Sequence, residues 1–135
     1  MMSVPLLMLL WSSILMFVLI MIPAGLAIHQ NGGPAQAGAR DNLAEPTVFM
    51  KRANRLNVNM RENMIMFTAL IVIATALNID SSNISLGATI FFYARLAHAI
   101  IYLAGWPFIR PIVWLVSVIG LGMIAYDLMM IPVAP

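Results

Sequence analysis

The run from Val4 to Ile28 contains no charged residue. A helix needs about 20 mostly apolar residues to cross some 30 Å of hydrocarbon, so this run can span a bilayer on its own. It lacks the Lys/Arg-rich start of a secretory signal and its apolar core is too long, so a genuine span is expected. Pro5 and the Pro23-Ala24-Gly25 break are tolerated in a span when neighbouring helices satisfy the backbone. Three further stretches follow: a helix beginning near residue 48 and running through Met64–Leu77, one from Ile84 to Gly105, and one from about Arg110 to Ile131.

Charge is scarce elsewhere too. Seven Lys/Arg and five Asp/Glu make 9% of the chain, and hydrophobic residues make 62%. Soluble domains carry about 25% charge, and a small domain cannot hide so much apolar side chain. A soluble enzyme, a nucleic-acid binder and a disordered tail are excluded. The apolar runs are continuous rather than alternating, which excludes a closed barrel. The expected fold is an all-α integral membrane protein: a four-transmembrane-helix bundle in one domain, 1–135, with helices at about 4–29, 48–79, 84–105 and 110–131. Residues 29–47 read as a loop rich in Gly, Pro and Asn. Ser82 or Asn83 is expected to cap the third helix.

Eight of the twelve charges lie between Arg40 and Glu62. Arg40, Lys51, Arg52, Arg55 and Arg61 belong to the first loop and the adjoining helix start, and Arg110 to the third loop. The second loop and both termini hold no Lys or Arg. The positive-inside bias therefore predicts cytoplasmic first and third loops and non-cytoplasmic termini. Lys51, Arg52 and Arg61 read as lipid headgroup contacts. His29 and Asp127 read as span-end residues, and Asp80 as a turn residue. With no cysteine and two distant histidines, no metal site is expected.

Ionisable groups inside spans are costly and usually functional. At 100° per residue, Arg55, Asn59 and Glu62 share about 60° of one helix face, as do Arg95, His98 and Tyr102 on the next. Antiparallel packing brings these faces together at the cytoplasmic end, beside Arg110. Arg95 lies about eleven residues into its span, roughly 16 Å deep. An Arg95–Glu62 pair is expected there, because a charge at that depth must be paired or hydrated. Three arginines against one carboxylate make a net positive pocket suited to an anionic ligand.

The run Arg55-Leu-Asn-Val-Asn59-Met-Arg-Glu62-Asn63 resembles the R-x-x-x-N-x-x-E-N pattern of the MAPEG family, the membrane-associated proteins of eicosanoid and glutathione metabolism. Ala94-Arg95-Leu-Ala-His98-Ala-Ile-Ile-Tyr102 is similar to the family's A-R-x-x-H-x-x-x-Y. Arg110 matches the arginine that opens its last helix, and Gly38-Ala-Arg40-Asp41 looks like the G-x-R-D of short bacterial members. The resemblance implies a four-helix subunit, a homotrimer, and a bacterial inner-membrane protein with cytoplasm-facing sites between subunits. It also implies glutathione as co-substrate and a lipophilic electrophile as second substrate, in a transferase- or peroxidase-type reaction. By position, Arg55, Asn59, Glu62, Arg95 and His98 would bind or brace glutathione, and Arg110 and Tyr102 would be catalytic at its thiol. Pro111 provides no hydroxyl after Arg110, Val58 no additional charge, and Met66 stands where a proline is common. These departures point to generic conjugation or peroxide reduction rather than a specific eicosanoid step. Two other readings compete: a non-catalytic bundle binding lipid or a thiol, and a small exporter. The exporter ranks last, because the first span has no acid to couple protons.

Overall fold

A computed structural model describes residues 1–132. The described residues form helices α1 (Val4–Asn31), α2 (Gly33–Ala37), α3 (Val48–Ala76), α4 (Ser82–Ala104) and α5 (Ile109–Met129), with no strand among them. The four long helices begin and end within three residues of the expected limits. The end of the expected 1–135 domain, residues 133–135, lies outside the described residues.

Local chemistry sets the boundaries. Pro5 sits in the first turn of α1, where its missing N–H costs nothing. Gly32 ends α1 with φ at 81°, a backbone state that disfavours any side chain. The Thr47 hydroxyl caps α3 by accepting from the Met50 N–H at 3.2 Å. Gly105 closes α4 in the left-handed conformation.

Two expectations need correction here. The first loop is not wholly irregular: Gly33-Pro34-Ala-Gln-Ala forms the short α2, with Pro34 pre-set for a first helical turn. The loop is latched to the end of α1, since Gln30 Nε2 donates to the Glu45 carbonyl and Asn31 Oδ1 accepts from the Ala44 N–H, both at 2.8 Å. The cap of α4 is Ser81, one residue earlier than expected; its hydroxyl accepts from the Asn83 and Ile84 N–H groups. That hydroxyl also donates to the Asp127 carboxylate, which accepts from Asn83 Nδ2 at 2.8 Å as well. Asp127 is therefore more than a span-end residue: it ties the end of α5 to the start of α4.

Helices α4 and α5 make the most extensive contact in the bundle. They meet at Gly87 and Gly120, and a Cβ built on Gly120 would lie 2.6 Å from the Gly87 carbonyl oxygen. Small residues let helices approach this closely where lipid provides no hydrophobic drive. The core is a column of Leu56, Met60, Phe67 and Ile71 from α3 against Ile84, Ala88 and Phe91 from α4. The Phe67 and Phe91 rings stack with centroids 4.0 Å apart.

Among the described residues three helices are long and apolar enough to cross a membrane: α1, α4 and α5. Their outward faces are apolar, as Trp11, Phe17, Ile112 and Leu115 illustrate. A contiguous apolar exterior of this kind suits lipid, not water. Helix α3 is as long, but Lys51, Arg52, Arg55, Arg61 and Glu62 occupy its first half.

Candidate functional site

Antiparallel packing puts the start of α3, the end of α4 and the start of α5 at one end of the bundle. Asn59, His98, Tyr102, Arg110, Pro111 and Trp114 line an open cleft there of about 260 Å³. A second cleft, about 390 Å³, lies beside it and is lined by Asn54, Arg55, Val58, Asn59, Glu62 and Tyr102. Asn59 and Tyr102 form the wall between the two. Six of the seven residues singled out in the sequence thus line these two adjoining clefts, which together make up a recess. The seventh, Arg95, lines neither cleft.

Arg95 is 1% exposed and stands behind Asn59. Its Nη2 donates to Asn59 Oδ1 at 2.9 Å, and its Nε approaches the Met60 sulfur at 3.4 Å. The expected Arg95–Glu62 pair does not form within the subunit. Among the described residues the one ion pair is Lys51–Glu45, at 3.5 Å. The reason is azimuthal. Residues 56, 60, 63, 64 and 67 form the buried stripe of α3, and Asn59 stands at its edge. Glu62 projects further round, onto the exposed face with Arg55 and Val58. A guanidinium arriving from α4 meets Asn59 and Met60 first.

This contact fixes the Asn59 amide. With Oδ1 held by Arg95, Nδ2 becomes the donor left for the recess. Arg95 therefore acts on the site through Asn59. Its own Nη1 is buried without a partner, as is Nδ1 of His98, which is 2% exposed. His98 packs edge-on to the Tyr102 ring, with centroids 5.4 Å apart. The Arg110 guanidinium lies over the Tyr102 ring, 4.6 Å from its centroid, in cation–π geometry. Among the described residues neither Arg55 nor Arg110 forms a hydrogen bond or an ion pair, so both forks are free to meet an anion.

Sequence reasoning missed Trp114 and Arg52. Trp114 follows Arg110 by four residues, so one helical turn places it beside the arginine; that spacing was a usable signal. The Arg52 guanidinium sits against Gly105 at the end of α4: a Cβ on Gly105 would come within 2.6 Å of its Cζ. The lipid-headgroup reading of Arg52 does not describe this half-buried position. A larger cleft, about 710 Å³, lies between α1, the first loop and α3, but Arg40 and Glu45 are its only charges and they oppose one another.

Apolar helices long enough to span a bilayer, with arginines gathered beside clefts at one end, define an integral membrane protein. The chain belongs to the MAPEG family, whose model matches residues 6–130. No curated protein matches it.

Proposed function

We propose that this chain is a glutathione-dependent membrane enzyme of transferase or peroxidase type acting on lipophilic electrophiles. The observation that carries the reading is Arg110 held over Tyr102 at the mouth of a cleft that also contains Asn59 and His98. Glutathione fits this donor set. It has two carboxylates for arginine forks, and Arg55 and Arg110 both face the recess. Its thiol has a pKa near 8.5, which an adjacent cation lowers. Arg110 is that cation, and the Tyr102 hydroxyl is a second donor to the sulfur.

The thiol proton leaves to water and the thiolate attacks. In conjugation a C–S bond forms and the leaving group departs with its electron pair, or an addition product takes up a proton. In the peroxidase reaction two glutathiones are oxidised to the disulfide while a hydroperoxide is reduced to alcohol and water. Trp114 and Pro111 provide an apolar wall beside Arg110, where an electrophile arriving from lipid would rest.

The same reading takes α3 as a fourth span. At 1.5 Å per residue its 29 residues reach about 43 Å, so the polar first turns would stand clear of the hydrocarbon. The cationic end faces the cytoplasm by the positive-inside bias, leaving the termini on the other side. The subunit works as a homotrimer in the inner membrane, as family membership suggests.

The experiment is a titration of detergent-purified protein with glutathione, following thiolate absorbance, repeated with Arg110→Ala and Arg55→Ala. Binding with a thiolate signal that Arg110→Ala abolishes is expected. No binding at millimolar glutathione would sink the proposal. Binding without thiolate would point instead to a non-catalytic bundle that holds a thiol.

A further inference from the structure

Helix α4 packs far more extensively on α5 than on α3. The recess is built across the weaker of these contacts, with Asn59 and Arg55 on one side and His98, Tyr102 and Arg110 on the other. Something must hold the two sides in register at the open end of the bundle.

Arg52 is placed to do this. It precedes Asn59 by seven residues, two turns, so it lies on the same stripe of α3, roughly 10 Å nearer the helix start. It lines neither cleft. It is half-buried, whereas Lys51 and Arg61 are exposed, so depth in a headgroup layer does not account for it. Its guanidinium packs on Gly105, where φ is 81°. The Gly105 and Trp106 N–H groups bond the Ile101 and Tyr102 carbonyls. The last two carbonyls of α4, on Leu103 and Ala104, have no intrahelical donor. The end of a helix carries about half a negative charge, and a cation there is favourable. Gly105 is what lets the guanidinium approach, since a side chain would occupy the same space.

We propose that Arg52 is a positioning residue for the recess: by clasping the glycine-capped end of α4, it holds the Tyr102–Arg110 side against the Asn59 side. The clasp is a property of the bundle. Only its effect on ligand rests on the glutathione reading above.

The test compares wild type, Arg52→Ala, Arg52→Lys and Gly105→Ala in detergent. Two quantities are measured: amide hydrogen exchange over residues 102–108 without ligand, and glutathione affinity by calorimetry. In Arg52→Ala, exchange over that segment should rise about three- to tenfold and affinity fall by a similar factor, with the melting temperature within about 2 °C. Arg52→Lys keeps the cation and should recover much of both. Gly105→Ala displaces the guanidinium while keeping its charge and should reproduce Arg52→Ala. Unchanged exchange in Arg52→Ala overturns the clasp. Unchanged exchange with weakened affinity also overturns it, because Arg52 would then be touching ligand directly. If wild type binds no glutathione but exchange rises in Arg52→Ala, the clasp stands and the ligand reading falls.

Discussion

Arg95 Nη2 donates to Asn59 Oδ1 across the α3–α4 contact at 2.9 Å, joining a fully buried cation to a side chain that lines both clefts. The amide is thereby oriented by a residue that no ligand in the recess can reach.

That relationship separates stability from binding. Arg95→Met keeps much of the side-chain volume and removes a buried charge that has no acidic partner. An unpaired charge at that depth carries a desolvation cost that an apolar side chain of similar volume does not. The melting temperature should therefore hold or rise, while glutathione affinity falls about tenfold as the Asn59 amide loses its anchor, a loss of roughly 1.4 kcal/mol. Thermal unfolding and calorimetry on one preparation check both.

Glu62 gives the converse case. It is exposed and forms no ion pair within the subunit among the described residues. Glu62→Gln should change subunit stability by no more than about 0.5 kcal/mol, the scale of a surface substitution. A loss of about 3–5 kcal/mol on denaturation would restore a buried pair with Arg95.

Asp127 accepts from Ser81 and Asn83, both at the start of α4. Asp127→Ala leaves those donors without their acceptor and should cost about 1–3 kcal/mol. Asp127→Asn should cost less, because it keeps an acceptor. Chemical denaturation in detergent ranks the two.

Tyr102 can be divided into ring and hydroxyl. Tyr102→Phe preserves the face that Arg110 covers and should leave glutathione affinity within about twofold, whereas Tyr102→Leu removes a cation–π contact of about 0.5–1 kcal/mol. If the hydroxyl donates to sulfur, Tyr102→Phe still lowers the thiolate absorbance at saturating glutathione.

Much of the fold could be read from residue order because hydropathy and charge alternate in long blocks. Val4–Ile28 has no charge, and the polar turn at residues 78–83 leaves little choice of boundary. The five-residue α2 escaped because Gly33 and Pro34 signal a break in most contexts, and only its latching to α1 shows that they open a turn instead. The cluster at the recess was legible because helical rise fixes depth closely: Asn59, His98, Tyr102 and Arg110 had to share a level. Azimuth is fixed less well. A window of about 60° admits either Asn59 or Glu62 as the partner of Arg95, and the choice followed from how far α3 is turned about its axis. Arg52 was misread for a similar reason. Its neighbours Lys51 and Arg55 are exposed, and nothing local signals that a helix end 53 residues later closes over it.

The crossing of α4 and α5 at Gly87 and Gly120 brings backbone against backbone, with no side chain between to swing or yield. Two helices seated that closely travel together, and the short link from Gly105 to Phe108 couples their ends as well. Tyr102 and Arg110 thus ride on one rigid jaw. If the recess widens to admit a bulky guest, the moving jaw must be α3, carrying Arg55 and Asn59 with it.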